Sequence, residues 1–267
     1  MILTEQLRTL ALSAAKEAGE LLLHGRPHNM RVDTKTTDTD VVTEMDRKCE
    51  KLLVDRLLAD RPDDGMLGEE GASRASSSGV TWVIDPIDGT VCYLYQQPHW
   101  TVSIAAKDDA GGLVGVVHVP SLGETYIGVR GEGAVRIDAH GEHRLMRRDR
   151  PALEMSLVGT GFGYSSDRRR TQSITLTHVL PAVRDIRRMG ASSFDICMVA
   201  DGRLDAYYER GLSEWDYAAA AIVATEAGVQ IGGLPGVAAG PELFIAAPRG
   251  LFDELTALLA SAGAGSD

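Results

Sequence analysis

The chain has 267 residues, 44% of them hydrophobic, and a formal charge of -11 at pH 7. That length buries a substantial core as one large domain or two closely packed halves, and the acidic balance argues against nucleic acid or an anionic membrane as a partner. No segment approaches the ~20 apolar residues of a membrane span, and Met1–Leu10 lacks a basic region followed by a long apolar stretch, so a soluble, cytoplasmic protein is expected. Cys49, Cys92 and Cys197 are far apart and form no CxxC pair, which points to reduced thiols rather than a zinc knuckle or a disulfide framework. The seven histidines show no HExxH-type spacing.

Along the chain, Leu7, Leu10, Ala11, Ala14, Ala15, Ala18, Leu21 and Leu22 recur at helical spacing, which predicts a helix over 4–24 with Pro27 just past its end. A polar run, Lys35–Asp46, follows. Thr43 is a good N-cap with Asp46 three residues later, so a second helix runs to about Ala59. Asp46 is either the capping-box partner or a functional group, and a carboxylate at a helix start can be both. Gly68-Glu69-Glu70 is an acidic pair beside a glycine. Next, Thr81–Ile84 make a buried strand that is expected to stop at Pro86, which has no N–H for a ladder. Asp85 and Asp88 stand three apart on this proline-stiffened turn and can converge on one point. An oxygen-only donor set of that kind favours magnesium, calcium or manganese over zinc. Gly89 and Thr90 add backbone N–H groups that could hold an anion. Asp, Pro and Gly also make ordinary turns. What favours a site is the company: with Glu69-Glu70 upstream and Asp216 opening an alanine-rich helix downstream, three acidic elements could build one two-metal or three-metal centre.

Apolar or alternating runs at 100–106, 113–119, 124–130 and 134–137, separated by Gly-rich turns, predict an antiparallel sheet. Residues 140–151 are charged and end in proline; His143, Arg144, Arg147, Arg148 and Arg150 read as a solvated connector rather than a binding surface. Thereafter strands near 154–159, 185–189, 204–208, 229–232 and 242–246 alternate with helices near 169–180, 192–200, 215–227 and from 250, an α/β pattern. The Tyr207-Tyr208 pair reads as core packing, and Ser261–Asp267 as a frayed tail.

Taken together, Asp40-Val-Val-Thr-Glu-Met-Asp46, Gly68-Glu-Glu70, Trp82–Thr90, Gly190-Ala-Ser-Ser193, Asp205-Ala-Tyr-Tyr-Glu209 and Trp215-Asp216 resemble the inositol monophosphatase family of magnesium-dependent, lithium-sensitive phosphomonoesterases. The stretches Gly161–Tyr164 and His178–Arg188 are most similar to actinobacterial inositol-1-phosphatases. The resemblance implies an αβαβα layered sandwich of the sugar phosphatase superfamily, with an α+β half (1–150) carrying most metal ligands and an α/β half (151–267) carrying substrate residues and one ligand. It implies two to three Mg2+ ions, with Mn2+ as a substitute. Glu69, Asp85 and the Ile87 carbonyl would hold the first, Asp85, Asp88 and Asp216 the second, and Glu69 would support a third. Thr90 and Asp46 would orient and help deprotonate the attacking water, and the N–H groups of Gly89 and Thr90 would cradle phosphate. Asp88, Gly190, Ala191, Ser192 and Glu209 would face the polyol. A homodimer is expected on the same ground.

The expected reaction is hydrolysis of a small polyol phosphate, inositol 1-phosphate first, with histidinol phosphate or another sugar or nucleoside phosphate as the alternative. A catalytically weak metal-binding regulator is the reading from another class. Two departures from the family pattern bear on substrate range: Cys92 where many relatives carry Asn, and the bulky Gln96-Gln97-Pro98-His99-Trp100 loop. Packing is expected for Cys92 over a reactive role.

Overall fold

A computed structural model describes residues 2–27, 30–147 and 151–265. Helix α1 (Ile2–His24) turns Leu7, Ala11, Ala14, Ala15, Ala18 and Leu22 wholly inward, the stripe its periodicity demands. Helix α2 (Glu44–Asp60) starts at the anticipated Thr43, where both halves of the capping box with Asp46 are made. Between them β1 (Val32–Thr34) and β2 (Val41–Thr43) form a small antiparallel hairpin. Sequence reading missed it, because strands of three residues are too short to show a period.

The larger sheet contains β3 (Gly65–Gly68), β4 (Ser73–Arg74), β5 (Thr81–Asp88), β6 (Thr101–Asp108), β7 (Gly111–Val119), β8 (Glu124–Val129), β9 (Gly133–Asp138) and β10 (Gly141–Leu145). Their order is β10-β9-β8-β7-β6-β5-β3-β4, antiparallel except for the β3/β5 pair. Two expectations are corrected here. Strand β5 does not end at Pro86: pairing with β6 breaks after Asp85↔Ser103 and resumes at Asp88↔Thr101, so the proline sits in an irregularity where no ladder N–H is required. Residues 141–145 are not a connector but an edge strand on β9, with Leu145 buried beneath it. Of the basic residues there, Arg147 pairs with Asp205 at 2.7 Å and His143 with Asp138 at 3.0 Å; Arg148 and Arg150 lie outside the described residues.

A short helix, α3 (Thr90–Leu94), follows β5. The second sheet runs β12 (Asp185–Arg187), β11 (Leu157–Thr160), β13 (Ala206–Glu209), β15 (Phe244–Ala247), β14 (Gln230–Gly232), with β11 parallel to both neighbours and β15 antiparallel to both of its own. Helices α4 (Ser166–Val179) and α7 (Arg249–Ser261) cover its outer face, while α5 (Ser192–Asp201) and α6 (Glu214–Glu226) fill the space between the sheets. Three cores result. One lies between α1, α2 and the large sheet, one around α5 and α6, and one beneath α4 and α7, which gives the layer order αβαβα.

Helix α6 sits unusually close to the large sheet. A Cβ on Gly115 of β7 would lie 2.2 Å from the Ala219 carbonyl oxygen, and one on Gly128 of β8 would lie 2.7 Å from the Val223 backbone, so only glycine fits at either position. The carboxyl end also departs from expectation: Ala264 is buried in the third core and its N–H bonds Leu259 O at 3.0 Å, so the chain is packed through the turn after α7. Ser266 and Asp267 lie outside the described residues.

Candidate active site

Strand β5 runs out of the sheet at the end facing α5 and α6, and its last residues line a cleft of about 120 Å³. Glu69, Asp85, Ile87, Asp88, Gly89 and Thr90 form one wall; Gly190, Ala191, Ser192, Glu209 and Asp216 form the other. Every expected site residue except Asp46 therefore borders the cleft directly, and Asp46 reaches it through Thr90. The Thr90 hydroxyl lies 3.1 Å from both Asp46 Oδ1 and the Ile87 carbonyl. Asp46 Oδ2 simultaneously accepts from Thr43 N at 2.8 Å. Capping and the Thr90 contact thus use different oxygens of one buried carboxylate. Burial raises the pKa of Asp46 against the hydrogen bonds from Thr43.

The carboxylates crowd. Asp85 is 1% exposed and accepts from Ile87 N at 3.0 Å. Burial, then the charges of Glu69, Asp88 and Asp216, push its pKa well above the ordinary range. Asp88 is pinned by Ser192 N at 3.2 Å, Ser193 N at 2.7 Å and the Ser193 hydroxyl, yet burial still lifts it to about 6. Asp216 caps α6 through Ser213 N at 2.6 Å and is raised by burial, Asp88 and Glu69. Among the described residues no three His, Cys, Asp or Glu side chains are already drawn around one point, since Glu69 is turned toward Lys35 and Asp216 toward Ser213. The donor set still fits a hard divalent cation: it is oxygen-only, buried and mutually repelling, and a cation relieves what the neighbouring carboxylates impose on one another.

Sequence reading passed over several groups. Lys35, at the tip of the β1/β2 hairpin, pairs with Glu69 at 2.8 Å and with Glu70. Burial works against its charge, but the two glutamates outweigh it and hold its pKa up. Thr39 from the same hairpin tip donates to the Tyr164 carbonyl at 2.9 Å, which docks the hairpin on the 161–164 loop. Tyr164, Arg188 and Asp195 also line the cleft. The Ser193 contact had a signal in its adjacency to Ser192. Tyr164 and Arg188 close the two stretches, Gly161–Tyr164 and His178–Arg188, that resemble actinobacterial relatives, but their approach to the cleft is set by tertiary packing.

Glu209 projects from β13 beneath Gly161, accepting from the Tyr207 hydroxyl, with burial raising it to about 7 against that bond and the charge of Arg188. Tyr207 is wholly buried, as the core reading of the aromatic pair required. Gly89 has φ +91 and leaves no room for a Cβ, with His99 O 2.9 Å and Gly190 O 3.1 Å away, so the two walls meet across it. Cys92 braces this junction by donating to Met189 O at 3.2 Å, and burial raises its thiol pKa, the opposite of activation.

An acidic cleft at the end of a strand, between two sheets of a five-layered sandwich, is the architecture of a sugar-phosphatase-type hydrolase. Residues 3–262 match the model of the inositol monophosphatase family. An inositol-1-monophosphatase of Mycobacterium leprae is 42% identical over 272 residues, covering 96% of this chain and 94% of its own length. The solved structure of Mycobacterium tuberculosis SuhB superposes with a TM-score of 0.82 at 39% identity, covering 98% of each chain. A Pasteurella multocida protein named Nus factor SuhB is 35% identical over 82% of each chain. The chain belongs to the inositol monophosphatase family and is a phosphatase. Among the described residues no helix is long and apolar enough to cross a membrane.

Proposed function

We propose that this phosphatase hydrolyses a small polyol phosphate monoester, inositol 1-phosphate first, in a magnesium-dependent and lithium-sensitive reaction. The observation that carries the reading is the apposition, within one cleft, of Glu69, Asp85, Asp88 and Asp216 with Gly190, Ala191, Ser192 and Glu209. A phosphate monoester brings roughly two negative charges, which the bare carboxylates repel. Members of the family are generally metal-dependent. The side chains of Glu69, Asp85, Asp88 and Asp216 and the Ile87 carbonyl would hold two to three Mg2+ ions, with Mn2+ as a substitute. When bound, the ions would offset this charge, polarise the phosphoryl group and lower the pKa of a water.

The chain's own residues then orient and move protons. The hydroxyl hydrogen of Thr90 serves either Asp46 or the Ile87 carbonyl. When it points to Asp46, the Thr90 oxygen accepts from the attacking water, and Asp46, whose burial raises its proton affinity, backs that transfer. Gly89 and Thr90 turn backbone toward the phosphate, and Glu209 accepts from a hydroxyl of the alcohol.

The relatives named Nus factor SuhB support a second reading, a regulator that uses this fold for protein contacts. The complete carboxylate and Thr90–Asp46 set favours hydrolysis. The test is phosphate release with and without magnesium and lithium across inositol 1-phosphate, histidinol phosphate, fructose 1,6-bisphosphate, nucleoside monophosphates and glycerol 2-phosphate. Preference for inositol 1-phosphate supports the reading, preference for another ester relocates the substrate, and no release from any ester favours the regulator. The expected homodimer is tested by sedimentation.

A further inference from the structure

Of the buried side-chain polar atoms without a protein partner among the described residues, one belongs to the cleft: Oδ1 of Asp195. Asp195 lies in the first turn of α5 and is 1% exposed. It is the lone charged residue within Ser192–Ala200, a run otherwise of serines and apolar side chains, so packing of the helix does not call for it. A buried acceptor without a donor keeps its desolvation penalty uncompensated, and a charge makes that penalty larger.

The backbone of Met189, just before the Gly190–Ser192 segment, acts on this carboxylate, and Asp195 itself borders the cleft. Glu209 is its electrostatic neighbour, and each carboxylate lines the same wall. Arg188 also borders the cleft, and its charge acts on both carboxylates. The far wall therefore offers two acceptor groups, Glu209 with one oxygen engaged by Tyr207 and Asp195 with one oxygen unengaged.

We propose that Asp195 is a second recognition residue for the alcohol part of the substrate, pairing with Glu209 to accept hydrogen bonds from two neighbouring hydroxyls of a cyclitol or sugar monophosphate. This rests on the polyol phosphatase reading and narrows it to esters with adjacent free hydroxyls. Each such hydroxyl brings a donor to an oxygen that has already lost its water, so recognition relieves a cost the folded chain carries alone.

The informative variant is Asp195→Asn. The amide keeps the size of the carboxylate while its NH2 presents a donor in place of an acceptor. At saturating magnesium, kcat/KM for inositol 1-phosphate is expected to fall about tenfold, mostly through KM, the size of one charged hydrogen bond. Turnover of phenyl phosphate, which has no hydroxyl to present, should stay within about twofold of wild type on the same reasoning. Equal losses on both esters would mean a structural role and overturn the proposal, as would no loss on either. A loss with Asp195→Ala but none with Asp195→Asn would reduce the residue to a loop anchor and also overturn it. If the wild type prefers a different polyol phosphate, the same comparison with that ester separates an error in the substrate from an error about Asp195. If no ester is turned over, calorimetric titration of inositol 1-phosphate into wild type and Asp195→Asn decides, with equal affinities counting against the proposal.

Discussion

Gly161 is the position where a single methyl group should separate binding of the alcohol from hydrolysis of the phosphate. It follows β11, and a Cβ built there would lie 1.9 Å from Glu209 Oε2 and 2.2 Å from its Cδ. Real Cβ atoms essentially never come within 3.0 Å of another heavy atom, so in Gly161→Ala the carboxylate must retreat by about 1 Å. The retreat is a rotation of the flexible Glu209 side chain away from its place in the cleft, and it must strain or break the bond from the Tyr207 hydroxyl to the same oxygen. Misplacing a positioning group by that much can cost about 10²-fold in rate, and overpacking of this kind costs about 1–3 kcal/mol of stability. The expected result is a fall of about 10²-fold in kcat/KM for inositol 1-phosphate, with phenyl phosphate retained within about threefold. Scanning calorimetry should show a loss of a few degrees, the scale of about 2–4 °C per kcal/mol for a chain of this size. Steady-state phosphate release on both esters at saturating magnesium is the assay. Inositol 1-phosphate turnover close to wild type, or the same loss on both esters, would refute the role given to Glu209.

Three other outcomes are expected. Asp85→Asn should reduce turnover by at least about 10³-fold, by analogy with the loss of a central electrostatic group, while its thermal stability without divalent ions stays level or rises, because one buried charge leaves a repelling cluster; near wild-type activity would sink the site assignment. Gly115→Ala should lower stability in urea by about 3 kcal/mol, at the top of the usual overpacking range, since its Cβ meets backbone of α6 rather than a movable side chain. His118 is half-buried beside Gly19 and its pKa is lowered from 6.5, chiefly by desolvation. The unfolded chain therefore protonates first, so full stability holds above pH 6.5 and falls as pH drops toward the folded-state value. Denaturation of His118→Gln should lack that part of the acid slope, and an identical slope in both proteins would contradict it.

Much of this molecule was legible because its signals are local. The stripe from Leu7 to Leu22, the Thr43 cap and the alternation of strands and helices after residue 151 each need only a few neighbouring residues to be read, and each stands where expected. The errors share the opposite cause. Pro86 lacks a ladder N–H, but only the β6 register reveals that none is needed there. Residues 141–145 look solvated until β9 offers them an edge, and Ala264 looks frayed until the third core receives it. The acidic elements around Glu69, Asp85, Asp88 and Asp216 and the Gly89–Thr90 turn were legible from residue chemistry, motif resemblance added Ile87, Gly190, Ala191, Ser192 and Glu209, and all but Asp46 of the expected set border one cleft. Asp195 did leave a trace, one acid in an apolar helix, but its unengaged oxygen is a property of the fold.

The seating of α6 against Gly115 and Gly128 also bears on the geometry of this cleft. Asp216 opens α6, whereas Asp85 and Asp88 end β5 of the large sheet, and the helix is locked to that sheet by backbone contact on which no side chain can slide. The spacing between Asp216 and the Asp85–Asp88 pair is thereby set by backbone against backbone, whereas the loop between β1 and β2 meets the cleft through side chains, Lys35 on Glu69 and Glu70 and Thr39 on the Tyr164 carbonyl.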